Sequence, residues 1–177
     1  QVIDHKSAVK AARFVQFCDA YALPVITLVN TPGFQTDGCA CMIREAAKLS
    51  HAYAEATTPK IALITGKAIG AAYIALAGRA ANADMVFAWP SAEIASLPED
   101  AAVTILYHDR LAKNEKRVDL TAEYKENVSS AFAAAACGGV DDVIDPADTR
   151  VKIISAMDML AGKRVSRMPK KHSNMPL

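Results

Sequence analysis

The sequence lacks an excess of charge of either sign, because 20 lysines and arginines face 19 aspartates and glutamates in 177 residues. A formal charge of +1 gives no general field that would attract nucleic acid or a membrane surface. Long apolar runs are also missing, so no membrane span is predicted, and the start, QVIDHKSAVK, has no signal-peptide core. We expect a cytoplasmic protein without a nucleic-acid partner. The absence of an initiating Met suggests a processed or excised piece of a longer chain.

Cysteine is scarce, with four residues at positions 18, 39, 41 and 137. Cys39 and Cys41 form a C-x-C pair that offers two metal ligands, but no second close pair completes a zinc pattern. We therefore expect no metal site, and free thiols in a reducing cytoplasm.

Side chains for acid, base or nucleophilic catalysis are not grouped into a motif. The four histidines, at positions 5, 51, 108 and 172, are scattered. The sequence contains no G-x-S-x-G elbow, no H-E-x-x-H and no P-loop. Each histidine is more typical of a surface or packing position than of a catalyst.

Helical and strand patterns alternate along the whole chain. Continuous apolar runs predict strands at LPVITLVN, KIALIT and DMVFAW, with a short extended VDDVI. Helical periodicity predicts helices over 8–22, 43–56, 69–78, 98–111, 120–137 and 146–160. Apolar strands separated by helices indicate parallel strands covered by helices, so we predict one layered α/β domain over 1–177.

Two features of the backbone remain as candidates for chemistry. Asn-Thr-Pro-Gly-Phe, residues 30–34, ends one strand, where ligands tend to bind in α/β sheets. Gly70-Ala71-Ala72 follows another strand at the start of a helix, where backbone N–H groups have no internal partner. Small residues there would let an oxygen of a ligand approach these N–H groups, which would then act as an oxyanion hole. The alternative is close packing of helices, which small residues also serve.

Several segments in this order resemble one known family. They are ARFVQFCDAYALPVITLVNTPGF, AKLSHAYAEATTPKIALITGKAIGAAYIALAG, ADMVFAWPSAEIA and the closing KRVSRMPKKHSNMPL. Together they are similar to the carboxyl-terminal half of biotin-dependent acyl-CoA carboxyltransferases, the subunits that serve acetyl-, propionyl- and methylmalonyl-CoA carboxylases and related decarboxylases. The resemblance covers nearly the whole chain. It implies a crotonase-like (ClpP/crotonase) fold, a spiral of ββα units.

The resemblance also implies a function: transfer of a carboxyl group between carboxybiotin and a short acyl-CoA, with this chain as the biotin-side half. In that family the cofactor itself supplies the base, which accounts for the missing catalytic side chains. The backbone of Gly70, Ala71 and Ala72 would bind the ureido oxygen of biotin. Thr31, Pro32, Gly33 and Phe34 would form the adjoining cofactor wall. Tyr73 and Ile74 would form the substrate pocket, with Ile74 near the acyl group.

The implied partners are a biotin carboxyl carrier protein, an amino-terminal carboxyltransferase half, and a biotin carboxylase or decarboxylase complex, in a homo-oligomer. The sequence departs from the family where Gly-Gly-Ala is replaced by Gly70-Ala71-Ala72, and where SLPEDAA, residues 96–102, replaces a Met-Gly loop. Glu99 and Asp100 in that loop are more typical of a helix start than of an acid/base pair. The stretch after Phe34 is shorter than in the best-known members.

Two other functions stay open at this stage. A crotonase-type enoyl-CoA hydratase or isomerase would need an acid or base beside Gly70, and no Glu or Asp follows closely. A non-catalytic assembly subunit would keep the fold while losing the chemistry. Ala71 and the altered loop over 96–102 are the features that favour this last alternative.

Overall fold

The computed structural model describes residues 2–36, 40–76 and 81–166. Five strands form its sheet, and their bounds are β1 Val25–Thr31, β2 Lys60–Ile69, β3 Met85–Ala88, β4 Glu93–Ala95 and β5 Asp142–Val143. The helices are α1 His5–Ala20, α2 Met42–Glu55, α3 Gly70–Leu76, α4 Glu99–Leu106, α5 His108–Ala112, α6 Arg117–Tyr124, α7 Ala131–Ala136 and α8 Thr149–Leu160. A π-turn, Lys125–Ser129, joins α6 to α7, and a 3₁₀ turn, Pro146–Asp148, precedes α8.

All strand pairs are parallel, in the order β1-β2-β3-β5, with β4 paired to the far end of β2. Parallel neighbours need crossover connections, and helices supply them. The predicted layered α/β arrangement of parallel strands is therefore confirmed. Strand β4 was not predicted, because a run of three residues is too short to form a recognisable strand pattern.

β2 is longer than the apolar run KIALIT predicts. It pairs with β1 and β3 in its first half, then continues through Gly66 to Ile69 and pairs with β4. The register against β1 shifts, with Val29 opposite Ile64 but Thr31 opposite Ala68. Beyond this bulge β2 continues to Ile69, and α3 begins at the next residue, Gly70.

The sheet is packed on both faces. On one face, α1 and α2 cover a core that includes Val15, Val25 and Leu49. On the other, α8 contributes Ala156 to a cluster with Leu63 and others of β2 and β3. Both clusters are apolar, so burial of their side chains supplies the main stabilisation of the layers.

Two predicted helices are wrong in extent. The single helix predicted over 98–111 is interrupted at Tyr107, whose φ of −109° and ψ of 26° end α4 before α5 starts. The helix predicted over 120–137 is interrupted at Ser130, which has an extended ψ of 152°. The Ser130 side chain instead accepts a hydrogen bond from the Ala133 amide and caps α7. An uninterrupted alanine pattern conceals such a cap because serine also occurs within helices.

Two further turns are fixed by local chemistry. Gly138 has a φ of +74° and follows the end of α7, as a glycine cap requires. The Asp145 side chain accepts a hydrogen bond from Ala147 at the start of the 3₁₀ turn. The end of the helix predicted over 69–78 falls outside the described residues, as does the tail from residue 167.

Cys18 and Cys137 are free thiols, whereas Cys41 is disulfide-bonded, so the expectation of free thiols is wrong for Cys41. Cys39 lies outside the described residues. Within residues 2–36, 40–76 and 81–166, no three His, Cys, Asp or Glu side chains are grouped as metal ligands. Every helix in this same part of the chain is too short or too polar to cross a bilayer.

Candidate functional site

The junction between β2 and α3 is formed by Gly70. Its φ of +66° lies in the left-handed region, which glycine adopts without the strain that a side chain would cause. A Cβ on Gly70 would meet the Ser96 carbonyl oxygen at 3.5 Å, an ordinary contact. Backbone conformation, rather than crowding, therefore favours glycine at this position.

Ala71 and Ala72 follow in the first turn of α3, but they differ in exposure. Their amides lack an i−4 partner within the helix, and no hydrogen bond from them to another described residue is present. Ala71 is exposed, while Ala72 has no exposed surface. Of the two residues, Ala71 is therefore the one whose surface a ligand can contact.

A cavity of about 540 Å³ opens between α2 and α3. Ala71 and Ile74 form its α3 wall, and Phe34 contributes from the loop after β1. The other described lining residues come from the same loop and from the start of α2: Gln35, Thr36, Ala40, Met42, Ile43, Ala46, Ala47 and Ser50. The lining is mostly apolar, with a few hydroxyl and amide groups.

A smaller cavity of about 300 Å³ lies on the other side of α3, towards β4. Ala71 and Ile74 line it as well as the larger one, so these two residues separate the two cavities. Its remaining lining is Gly70, Tyr73, Ile94, Ala95 and Ser96. Ile74 is 55% exposed, which leaves its side chain available to a ligand in either space.

The loop after β1 is held by a local network. Thr31 is buried, and its hydroxyl donates to the Gly33 carbonyl at 3.1 Å and accepts from the Gly33 amide at 3.2 Å. Ile3 is hydrogen-bonded to the same loop on both sides of Phe34. Its amide donates to the Gly33 carbonyl, and its carbonyl accepts from the Gln35 amide. These contacts place Phe34 in the cavity wall.

The predicted site residues are thus partly brought together. Phe34, Ala71 and Ile74 share the larger cavity, and Tyr73 lines the smaller one while its hydroxyl donates to the Gly139 carbonyl at 3.3 Å. Thr31, Pro32 and Gly33 are not among the described lining residues of either cavity, although Thr31 and Gly33 hydrogen-bond to each other within the loop that carries Phe34. Their assignment to a cofactor stays a prediction.

Sequence reasoning missed the contributions of α2 and β4. Ala46 and Ala47 of α2 both line the larger cavity, and their small side chains leave room in it. Ser96 begins the unusual segment over 96–102, which we read only as a departure from the family. Its position beside Gly70 depends on the β2–β4 pairing, which the sequence does not reveal.

No carboxylate, imidazole or lysine is among the described lining residues of the two cavities. Glu99 and Asp100 lie in the first turn of α4, as the helix-start interpretation predicts. Lys125 contacts Glu99 at 3.1 Å, and this hydrogen bond raises the pKa of the Lys125 ammonium. Asp100 is almost fully exposed and lies 3.7 Å from Arg117. Both carboxylates thus contribute to surface ion pairs.

Known proteins share both the sequence and the fold. The family described as carboxyl transferase domain matches residues 2–175. The methylmalonyl-CoA carboxyltransferase 12S subunit of Propionibacterium freudenreichii subsp. shermanii is 43% identical over 98% of this chain and 34% of its own. The propionyl-CoA carboxylase carboxyltransferase subunit of Haloferax mediterranei is 42% identical over 99% of this chain and 35% of its own.

A solved structure of transcarboxylase 12S, described as a hexamer with methylmalonyl-coenzyme A and methylmalonic acid bound, superimposes with a TM-score of 0.93. It is 42% identical and covers 99% of this chain, while this chain covers 35% of it. The crotonase-like fold expected from the resemblance is therefore confirmed. The chain spans about a third of the length of these relatives, and it belongs to the carboxyl transferase domain family.

Proposed function

We propose that this chain is the biotin-side domain of an acyl-CoA carboxyltransferase, which moves a carboxyl group between carboxybiotin and a short acyl-CoA. The observation that carries the proposal is the exposed Ala71 at the start of α3, on the wall between two cavities whose described lining residues include no acidic or basic side chain. A site of this kind can position reactants and stabilise negative charge, but it offers no protein base. Such chemistry needs a cofactor that supplies the base.

The Ala71 amide is the proposed oxyanion donor. Hydrogen-bond donors that are already oriented towards developing negative charge stabilise a transition state without reorganisation. Gly70 fixes the direction of this amide through its left-handed conformation. Ala72 is fully buried, so a ligand oxygen would reach its amide only while it also contacts Ala71. The proposal therefore rests mainly on Ala71.

Biotin fits the larger cavity by its chemistry. Its fused rings are compact and mostly apolar, and one ureido oxygen is its strong acceptor, which matches a mostly apolar lining that includes Ala71. Phe34, Ala46 and Ala47 would contact the rings, and Ala71 would donate to the ureido oxygen. When bound as carboxybiotin, the cofactor supplies the carboxyl group and the base.

The acyl group would enter the smaller cavity, where Tyr73 and Ile74 are substrate-pocket residues. Its volume and apolar lining suit a short, uncharged acyl chain such as acetyl or propionyl. Ile74, which lines both cavities, would keep the two reactants apart until transfer and exclude water from between them. Named relatives that act on propionyl- and methylmalonyl-CoA support this substrate class.

The remaining partners follow from the share of its relatives' length that this chain covers. The chain covers about a third of its relatives, so we infer that an amino-terminal carboxyltransferase half holds the coenzyme A and completes the site. A biotin carboxyl carrier protein would deliver the cofactor, as part of a carboxylase or decarboxylase complex. The hexamer described for transcarboxylase 12S supports an oligomer of such subunits.

The test combines the chain with a matching amino-terminal half and a biotinylated carrier domain. Labelled carboxyl groups are then followed from the carrier to acetyl-CoA and propionyl-CoA, with a carrier lacking biotin as the control. We expect transfer only when biotin is present. Hydration of an enoyl-CoA without biotin would support the hydratase alternative instead, and an assembled but inert complex would support a non-catalytic role.

A further inference from the structure

The segment 96–98, which joins β4 to α4, forms part of the wall of the smaller cavity. Ser96 lines this cavity, and its carbonyl oxygen would lie 3.5 Å from a Cβ built on Gly70. All three residues of the segment are exposed. An exposed segment buries few contacts of its own, so its position depends on the groups that hold it from outside.

Lys125 is paired with a carboxylate on each side of this segment. Its ammonium lies 3.1 Å from Glu99, which follows the segment, and 3.6 Å from Glu93, which begins β4. Both carboxylate side chains are mostly covered, with 29% of Glu93 and 23% of Glu99 exposed. Partly buried ion pairs are screened less by salt and water than fully exposed ones. The three side chains thus form an ionic bridge across the base of the segment.

Glu93 is held from a second side as well. Lys67 lies opposite it in the β2–β4 pairing, and its ammonium is 3.5 Å from the other carboxylate oxygen, an ion pair without hydrogen-bond geometry. Glu93 also forms an antiparallel bridge with Ser130, the residue that follows the π-turn. Charges that form such a network contribute more to stability than an isolated surface pair.

Apolar packing lies behind the same wall. Ala95 lines the smaller cavity and also belongs to a buried cluster whose other members are Ala102, Val103, Leu120 and Tyr124. The hydroxyl of Tyr124 donates a long hydrogen bond of 3.5 Å to the Leu97 carbonyl, in the middle of the segment. Tyr124 and Lys125 are consecutive, so one short stretch of chain holds the segment at its middle and at both ends.

This stretch coincides with an irregular part of the backbone. Tyr124 is the last residue of α6, and the π-turn begins at Lys125. Turns of this kind are rare and are frequently found at functional sites. The position of the π-turn behind the wall of a cavity gives the stretch a place in the candidate site.

We propose that Lys125 is a positioning residue of the acyl pocket, which holds segment 96–98 as a wall of the smaller cavity through Glu93 and Glu99. The inference rests on the proposed function, because it takes the smaller cavity as the place where the acyl group binds. Lys125 is not among the described lining residues of either cavity, so it acts on a substrate only through the segment. The larger cavity, where biotin is proposed to bind, does not include the segment among its described lining residues.

The experiment uses three variants of the assembled carboxyltransferase. Lys125→Met removes the charge while keeping a long side chain, and Lys125→Arg keeps the charge. The matched control is Lys152→Met, which breaks the 2.8 Å ion pair with Asp142, outside the described linings of both cavities. Lys125 and Lys152 are equally exposed, at 46% and 47% of their side chains.

The first readout is hydrogen exchange over residues 93–97, measured by mass spectrometry. We expect exchange there to be several-fold faster in Lys125→Met than in wild type, because loss of the ionic bridge lets the segment and β4 open locally. Lys125→Arg and Lys152→Met should exchange like wild type over the same residues. This measurement needs no catalytic activity.

The second readout separates the two substrates. We expect the KM for propionyl-CoA to rise about tenfold in Lys125→Met, with kcat and the KM for the biotinylated carrier nearly unchanged. Lys125→Arg should restore the KM for propionyl-CoA. A purely structural defect would instead change both KM values together, and that result would overturn the inference.

Other outcomes decide between the two proposals. An unchanged KM for propionyl-CoA in Lys125→Met would overturn the positioning role while leaving the carboxyltransferase function intact. Equal effects of Lys125→Met and Lys152→Met would also overturn it. If no preparation transfers carboxyl groups but exchange over 93–97 is faster in Lys125→Met alone, the function fails and Lys125 remains the residue that holds the cavity wall.

Discussion

The side-chain amide of Asn30 fills the space that a Cβ on Gly66 would need. A Cβ built on Gly66 would lie 2.6 Å from Asn30 Oδ1 and 2.8 Å from Asn30 Cγ. The same Oδ1 accepts a hydrogen bond from the Lys67 amide at 3.1 Å. This contact links β1 and β2 at the bulge in their pairing.

Replacing Gly66 by alanine should displace Asn30 and break its bond to Lys67. We expect Gly66→Ala to lower the free energy of unfolding by roughly 0.5–1.5 kcal/mol, the contribution of one hydrogen bond, because the exposed Asn30 side chain can move aside. Urea denaturation of the variant measures this loss. Gly162→Ala is the matched control, because a Cβ there meets nothing within 4 Å, and an equal effect in both variants would contradict the role of Asn30.

Lys60 is a buried cation that satisfies the end of α2. Its Nζ donates to the carbonyls of Tyr53 at 2.6 Å and Ala56 at 2.8 Å, and the residue is 2% exposed. Lys60→Met should leave both acceptors without this donor and destabilise the protein by roughly 1–3 kcal/mol. Thermal unfolding measures the effect, and Lys113→Met at an exposed site serves as control. Equal stability of Lys60→Met and wild type would show that the capping bonds contribute nothing.

A surface ion pair makes the stability of the protein depend on pH. Arg110 donates to both oxygens of Glu123 at 2.8 and 2.9 Å, which lowers the pKa of that carboxyl below its ordinary value of 4.5. A carboxyl with a lowered pKa stabilises the fold above its unfolded pKa and loses that effect as pH falls through the folded value. We expect Glu123→Gln to have a lower Tm than wild type near neutral pH, with the difference vanishing in acid.

The check is a series of thermal unfolding curves from neutral pH to well below pH 4.5. Glu126→Gln is the control, since that exposed carboxyl lies on the neighbouring π-turn. A difference between Glu123→Gln and wild type that stays constant over the whole pH range would rule out the ion pair as its source.

The sequence predicts the layers well because continuous apolar runs and helical periodicity are local signals. β1, β3, α1 and α2 lie within two or three residues of their predicted bounds. β4 is absent from the prediction because its three residues are held by pairing with β2, a contact between distant parts of the chain. The interruption at Ser130 was not predicted, because serine also occurs within helices and the alanines that follow it favour a continuous helix.

The candidate site also combines local features, which the sequence indicates, with features of tertiary packing, which it does not. Glycine at position 70 could be recognised as a backbone feature, and its φ of +66° agrees with that interpretation. The unequal exposure of Ala71 and Ala72 could not be foreseen, because it depends on which face of α3 packs against the sheet. Ser96 and the alanines of α2 join the cavities through tertiary packing alone.

The central claim is that the Ala71 amide donates a hydrogen bond to a reacting oxygen. Replacing this one amide by an ester, with lactic acid in place of Ala71, removes the N–H while keeping the shape of the chain. The control is the same exchange at Ala101, also in the first turn of a helix. We predict that kcat for carboxyl transfer falls roughly 100- to 1,000-fold at position 71 with Tm unchanged, and little at position 101. Equal transfer rates for the two esters would contradict the account.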